Sequence, residues 1–181
     1  MFSWQIQMII YTIGHSTRSL DEFLAMLRAH AIAQLADVRT LPRSRRHPHF
    51  SREALGASLG AARIAYRHLA ALGGLRKPRP DSANTAWRQE GFRGYADYME
   101  TPSFASGISK LLEYAANGRT AIMCAESLWW RCHRSLISDY LKANDVEVTH
   151  IMAEGKSEAH PFTSAARIVD GQLSYRGMLE S

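Results

Sequence analysis

Apolar and polar positions follow two alternating patterns along the chain. Short runs of β-branched and aromatic residues predict strands, and longer stretches with apolar positions every three or four residues predict amphipathic helices. A capping box from Ser19 to Glu22 begins the first helix. The predicted strands span residues 8–13, 34–38, 64–69, 120–124 and 147–151, and the further helices span 51–62, 95–99, 101–116 and 135–143. Residues 75–90 have no clear period and predict a long loop.

This alternation predicts an α/β fold: a three-layer sandwich with a mainly parallel sheet of about five strands and helices on both faces. We expect residues 1–181 to form a single domain. Met8 is a second candidate start, which would make residues 1–7 an N-terminal extension. Residues 152–181 are expected to form a C-terminal tail packed on the domain, with an extended segment at 172–176.

Composition excludes several classes of protein. Apolar residues make up 46% of the 181 residues, enough for a core that needs no disulfides. Two cysteines form no disulfide framework, and no apolar run reaches the roughly 18 residues of a transmembrane helix. We therefore expect a soluble, cytoplasmic protein with no membrane partner. The net charge of +5 and the pI of about 9.5 favour an anionic partner.

Polar residues cluster where the predicted strands end. His15 follows the first strand, Arg39 follows the second, and Cys124 and Glu126 follow the fourth. In open α/β sheets, ligands bind at the carboxyl ends of the strands. We therefore predict a site at this edge of the sheet.

The loop after the second strand is strongly basic. Residues 39–52 hold five arginines and two histidines but no acid. Guanidinium groups bind phosphate and carboxylate in a bidentate geometry. We expect an anion site formed by Arg39, Arg43, Ser44, Arg45 and Arg46, with Arg134 as a further substrate-binding residue. The alternative is a solvated loop whose arginines pair with acids elsewhere.

The segment from Cys124 to Arg134 carries candidate catalytic residues. A cysteine between a strand and a helix lies near a positive helix end, which lowers a thiol pKa, and Arg131, His133 and Arg134 would lower it further. Cys124 is therefore a candidate nucleophile, although an inert buried thiol is the alternative. Glu126 is a candidate general acid or base, with His15 or His133 nearby.

The segment Gly91–Tyr95 combines glycine, arginine and aromatic residues. Tyr95 and Phe92 could stack on a base, and Arg93 could contact phosphate. The alternative is a helix start with a buried aromatic face.

We expect neither a metal nor another cofactor. The spacing of Cys124, Cys132 and His133 matches no zinc finger or knuckle. The glycine-rich signatures of phosphate and dinucleotide loops are also missing from the sequence.

Five short motifs resemble the domain-of-unknown-function family DUF488, over residues 9–151. They are Thr12-Ile-Gly-His-Ser16, Asp37-Val-Arg39 with Pro42-Arg-Ser44, Gly91-Phe-Arg-Gly-Tyr95, Met123-Cys-Ala-Glu126 and Cys132-His-Arg134. Thr17 stands where the family pattern often has asparagine. The resemblance implies an α/β fold and a site built from these motifs, but it implies no reaction.

A second, weaker similarity is to rhodanese-like sulfurtransferases and cysteine phosphatases. It rests on Asp37-Val-Arg39 and on a cysteine, Cys124, that begins a strand–loop–helix unit. The residues after Cys124 are bulky and include no glycine for a tight anion cradle, which disfavours the phosphatase mechanism.

The sequence is compatible with three functions. The first is an enzyme that acts on a phosphate-bearing ligand, either a nucleotide or a nucleic acid, at the strand ends. The second is a non-catalytic nucleic-acid-binding module that needs the arginines but not Glu126. The third is cysteine-dependent sulfur or phosphoryl chemistry at Cys124.

Overall fold

The computed structural model describes residues 6–177 and contains eight strands and five helices over that range. The strands are β1 (Ile9–Gly14), β2 (Gln34–Asp37), β3 (Ala65–His68), β4 (Thr120–Cys124), β5 (Glu147–Ala153), β6 (Lys156–Ala159), β7 (Arg167–Val169) and β8 (Gln172–Ser174). The helices are α1 (Leu20–Ala29), α2 (Arg52–Ala61), α3 (Glu90–Tyr98), α4 (Pro102–Ala115) and α5 (Arg134–Ala143).

Six strands form one sheet in the order β3-β2-β4-β1-β5-β6. The first five of these strands are parallel, and β6 pairs with β5 in the antiparallel direction. The expectation of a mainly parallel sheet is therefore confirmed. As a result, the carboxyl ends of β1, β2 and β4 lie side by side at one edge.

Two apolar clusters cover the two faces of the sheet. One cluster joins Ile10 and Ile122 of the sheet to α3, α4 and α5, and the other joins Ile13 and Met123 to α1 and α2. Side chains alternate between faces along a strand, so each buried strand contributes to both clusters. The predicted three-layer sandwich is confirmed.

Two of the sandwich helices begin at caps that the sequence encodes. The Ser19 hydroxyl accepts from the Glu22 N–H, and the Thr101 hydroxyl accepts from the Phe104 N–H. Pro102 follows Thr101 in the first turn, where its missing N–H costs no hydrogen bond.

The C-terminal region departs from the predicted pattern. The expected tail contains strand β6 and a separate antiparallel pair, β7 and β8, with Gly171 at a positive φ in the turn. Tyr175 follows this pair and is buried in the cluster that contains α5. Helix α3 begins at Glu90, earlier than the predicted residue 95. Part of the proposed extension, residues 1–5, and residues 178–181 of the tail lie outside the described residues.

No helix within residues 6–177 is long and apolar enough to cross a membrane.

Candidate active site

A cleft of about 440 Å³ lies at the carboxyl ends of β1, β2 and β4. This is the edge where the sequence predicts a site. Its wall carries both cysteines together with basic, acidic and apolar side chains. Among them are His15, Arg39, Arg43, Ser44, Tyr95, Cys124, Glu126, Arg131, Cys132 and His133. The volume suits a small organic ligand.

A close approach of two loops forms the base of the cleft. The amides of His15 and Ser16 donate to the carbonyl oxygens of Cys124 and Ala125. Gly14 allows this approach, because a Cβ there would lie 1.9 Å from the carbonyl oxygen of Glu126. The Gly-His-Ser segment therefore positions the cysteine loop.

Two free cysteines lie side by side in the cleft. The Sγ atoms of Cys124 and Cys132 are 2.7 Å apart, and both residues are buried. Cys124 ends β4, whereas Cys132 lies just before α5. The backbone N–H of Arg134, in the first turn of α5, points to the Cys132 sulfur at 3.5 Å. Cys132 therefore lies in the positive field of a helix N-terminus.

Arg134 occupies the space beneath the two thiols and is 1% exposed. Its Nε donates to the Cys124 sulfur at 3.0 Å, and its Nη1 donates to the Thr12 hydroxyl. Its Nη2 donates to the carbonyl oxygens of Glu126 and Ser127. Within residues 6–177, no carboxylate forms an ion pair with Arg134. The thiols therefore provide the nearest groups that can carry a compensating negative charge.

The two cysteines and Arg134 shift one another's ionisation. Burial alone would raise the pKa of Cys132, but the hydrogen bond with Cys124 and the charge of Arg134 more than offset burial and lower this pKa from 9.0 to about 7. Burial raises the pKa of Cys124, and its hydrogen bond to Cys132 raises it further. Burial opposes the charge of Arg134, but both sulfurs favour it and raise its pKa. The pair therefore loses its first proton at a lower pH than a free cysteine does.

His133 is placed to accept a proton from Cys132. Its Nδ1 lies 3.3 Å from the Cys132 sulfur, and its Nε2 donates to the carbonyl oxygen of Val38 at 2.8 Å. Because a carbonyl only accepts, Nε2 carries the proton and Nδ1 is free to accept one. Burial lowers the pKa of His133, which keeps the ring neutral.

His15 and Arg39 lie side by side in the cleft, with Arg39 Nη1 3.4 Å from His15 Nε2. The Arg39 guanidinium donates to both carboxylate oxygens of Asp37, through Nε at 2.9 Å and Nη2 at 2.7 Å. His15 donates from Nδ1 to the carbonyl oxygen of Ser16, and burial lowers its pKa to about 4. The charge of Arg39 is therefore already balanced, and His15 is neutral at physiological pH.

The remaining arginines of the basic loop are exposed. Arg43 and Ser44 line the cleft, but Arg45 and Arg46 do not. None of these three arginines forms an ion pair within the described residues. The structure therefore divides the predicted anion site between the cleft and the outer surface.

The Gly91–Tyr95 segment supports the fold as well as the cleft. Tyr95 is buried, and its hydroxyl donates to the carbonyl oxygen of Leu72. Arg93 donates to the carbonyl oxygens of Trp87 and Arg88, outside the cleft. Phe92 contributes to the cleft wall. Phe92 and Tyr95 both line the cleft, and Phe92 is the more exposed of the two.

Glu126 is exposed at the edge of the cleft. Its carboxylate accepts from the Leu128 N–H at 3.2 Å and from the Ser127 hydroxyl at 3.4 Å. These contacts orient the carboxylate within its own loop.

A family comparison supports the grouping of these motifs. The family model described as "Domain of unknown function DUF488" matches residues 19–141. The chain belongs to the DUF488 family. Four of the five motifs lie within the matched range, and the Thr12–Ser16 motif precedes it. No curated protein and no solved structure matches the chain.

Behind the thiols, this DUF488 chain contains a buried hydrogen-bonded relay. The Thr12 hydroxyl contacts His150 Nδ1 at 2.6 Å, His150 Nε2 contacts His160 Nδ1 at 2.8 Å, and His160 Nε2 contacts Asp139 at 2.8 Å. Because Arg134 donates to Thr12, every step of the relay can donate in one direction, from Arg134 to Asp139. Burial lowers the pKa of His150 to about 2, so this ring is neutral. The relay connects the buried cation to a buried anion.

Sequence reasoning missed the relay. Arg131, which the sequence places among the positive charges near Cys124, lines the cleft. The relay combines residues from β1, α5, β5 and the segment after β6, and no local pattern marks such a combination.

Within residues 6–177, no group of three or more His, Cys, Asp or Glu side chains is arranged to hold a metal ion. A second cleft, of about 780 Å³, lies beside α3, α5 and β8. No cysteine or histidine lines it.

Proposed function

We propose that this DUF488 protein is a cysteine-dependent enzyme that acts on a small phosphate-bearing substrate. The observation that carries the proposal is the position of buried Arg134 against the thiols of Cys124 and Cys132. A buried cation is costly unless a neighbouring group carries the opposite charge. A thiolate on the cysteine pair satisfies this requirement and is also the reactive form of cysteine.

The chemistry begins at Cys132. His133 Nδ1 accepts the thiol proton while the Val38 carbonyl holds the ring in the required tautomer. The thiolate attacks an electrophilic centre of the substrate, and the leaving group departs with its electron pair and takes the proton from His133. This division of roles, a nucleophile with an oriented base, is the general arrangement of covalent catalysis.

The cleft wall supports a ligand that is partly apolar and partly anionic. Leu41, Leu75 and Phe92 provide apolar contact. Arg43 and Arg131 are exposed on the same wall and form no ion pair within residues 6–177. Guanidinium groups that lack a partner bind phosphate well.

A protection experiment tests substrate class and site together. AMP and inorganic phosphate are each added at low salt before iodoacetamide, and alkylation of Cys132 is followed by mass spectrometry. We expect AMP to slow the alkylation of Cys132, and we expect the Arg43→Ala/Arg131→Ala variant to lose this protection. Arg28→Ala is the control because Arg28 is exposed on α1 and does not line the cleft. Equal protection in all variants, or none in the wild type, would reject a phosphate site in the cleft.

A second candidate function is nucleic-acid binding. The observation that favours it is the exposure of Arg45 and Arg46 outside the cleft, without an ion pair in the described part of the chain. Such arginines contact phosphate backbones, and each contact steepens the salt dependence of binding by about one unit. An Arg45→Ala/Arg46→Ala variant that binds single-stranded DNA with a shallower salt slope would support this candidate. An unchanged slope would reject it.

A further inference from the structure

The closest contact between reactive groups in the cleft is the 2.7 Å separation of the Cys124 and Cys132 sulfurs. A disulfide needs a separation of about 2.05 Å, so the two sulfurs must approach each other by less than ~1 Å. The residues are eight positions apart and lie on either side of one loop, which carries Glu126 and Trp129. A small adjustment of this loop is sufficient to join them.

The accessibility of the two cysteines and the ionisation of Cys132 both favour oxidation to a disulfide. Both cysteines line the cleft with only 3% and 7% of their surfaces exposed, so only a small molecule such as a peroxide reaches them. The neighbouring Arg134 and the start of α5 favour a thiolate, which is the form that attacks oxidants. Cys124 remains protonated beside it and is placed to react with whatever forms on Cys132.

We propose that Cys124 and Cys132 form a reversible disulfide when the protein meets hydrogen peroxide or an organic hydroperoxide. Cys132 releases its proton to solvent, its thiolate attacks one peroxide oxygen, the O–O bond breaks, and the departing hydroxide or alkoxide takes up one proton from solvent in return. The product is a sulfenic acid on Cys132. Cys124 then loses its proton to the neighbouring base His133, and its sulfur attacks the Cys132 sulfur. The S–O bond breaks, and the released hydroxide leaves as water after taking up that proton. The two thiols are oxidised and one peroxide is reduced.

This disulfide regulates the site, and that consequence rests on the proposed function. Oxidation consumes the Cys132 nucleophile and removes the negative charge on Cys132 that favours the charged form of Arg134. The buried guanidinium is then left with neutral partners, the Thr12 hydroxyl and the carbonyl oxygens of Glu126 and Ser127. Because Arg134 stabilises the thiolate, it favours the reduced state, so small thiols such as glutathione reverse the reaction readily.

The test uses the full chain and its two serine variants. Each protein is treated with one equivalent of hydrogen peroxide at neutral pH and analysed as an intact mass and after digestion. The wild type is expected to lose two hydrogen atoms through a Cys124–Cys132 linkage and to regain them with glutathione. The Cys124→Ser variant is expected to accumulate sulfenic acid on Cys132, which dimedone traps, and then to gain further oxygen. The Cys132→Ser variant is expected to react slowly.

Three results would overturn the proposal. The first is a wild type that gains oxygen on Cys132 without forming the linkage. The second is a wild type that does not react at all. The third is a disulfide between two molecules, detected as a dimer on a non-reducing gel.

The experiments distinguish a failure of the disulfide proposal from a failure of the proposed function. If Cys132 is alkylated rapidly at neutral pH but peroxide produces no linkage, the disulfide proposal alone fails. If peroxide produces the linkage but AMP gives no protection and alkylation needs high pH, the proposed function alone fails.

Discussion

The Nε atom of Arg134 lies 3.0 Å from the Sγ atom of Cys124, and both residues are buried. Within residues 6–177 this guanidinium has no carboxylate partner. Its charge therefore acts on the cysteine pair, and Cys124 passes the effect to Cys132 through the contact between their sulfurs. The proposed reactivity of Cys132 depends on this arrangement.

Arg134→Lys is expected to weaken the effect of this cation. Lysine keeps the charge but cannot donate to the Cys124 sulfur, the Thr12 hydroxyl and the loop carbonyls together. We expect the pH midpoint of Cys132 alkylation to rise by about one unit. Arg28→Lys on the surface of α1 is the control and should leave the midpoint unchanged. A midpoint that stays in place in Arg134→Lys would show that Arg134 does not set the ionisation of the pair.

Gly14→Ala is expected to disrupt the base of the cleft. A Cβ at this position meets the carbonyl oxygen of Glu126, which also accepts a hydrogen bond from Arg134. We expect a loss of about 2–3 kcal/mol in the free energy of unfolding, since overpacking and the displaced contact both contribute. Urea denaturation of the wild type and of Gly14→Ala measures this loss in the free energy of unfolding.

Gly91→Ala is the matched comparison for Gly14→Ala. Gly91 lies in the first turn of α3, and a Cβ there has open space within 4 Å. We expect no loss of stability, and a gain of up to about 1 kcal/mol. Equal effects of the two substitutions would contradict the close approach at Gly14.

Acid is expected to destabilise the fold below the ordinary histidine pKa. Burial lowers the pKa of His15 to about 4 and that of His150 to about 2, against 6.5 in the unfolded chain. Below pH 6.5 the unfolded chain therefore binds protons that the folded chain does not bind, and stability falls as the pH falls. The two residues together should lower the free energy of unfolding by roughly 2 kcal/mol between about pH 6 and pH 5. Urea denaturation across this window should show a slope that His150→Gln reduces by about one proton, and a flat profile would contradict the account.

Asp139→Asn is expected to weaken the buried relay. The carboxylate accepts from His160 Nε2, from the N–H and hydroxyl of Thr163 and from the Tyr175 hydroxyl. We expect a loss of about 3 kcal/mol, or a fall in Tm of about 9 °C, because hydrogen bonds to a buried charge are strong. Tyr175→Phe removes one donor and should cost about 1 kcal/mol. A smaller loss in Asp139→Asn than in Tyr175→Phe would contradict the relay.

The central strands of the sheet were predictable from the sequence because they are buried. Strand β4 is buried throughout, and such strands appear in the sequence as continuous apolar runs. Strand β6 was missed because all four of its residues are exposed, so its sequence carries no apolar pattern. It is held by pairing with β5, which is not visible in local sequence.

The position of the cleft was predictable from the sequence, but the contacts between its side chains were not. The sequence places Cys124 at a strand end and favours it as the nucleophile, whereas the structure lowers the pKa of Cys132 instead. That difference depends on where α5 begins and on how the Arg134 side chain folds back beneath the cysteines. Arg39 forms an ion pair with Asp37, which the Asp37-Val-Arg39 spacing could have indicated, and its binding of phosphate stays a prediction.

The pH profile of iodoacetamide labelling, resolved for each cysteine by mass spectrometry, tests the central claim most directly. The account predicts that Cys132 in the folded protein is labelled with a midpoint near pH 7, while Cys124 is labelled only well above pH 9. If both cysteines stay unlabelled below pH 9 until the protein unfolds, Arg134 stabilises no thiolate, and the cysteine-dependent function is wrong.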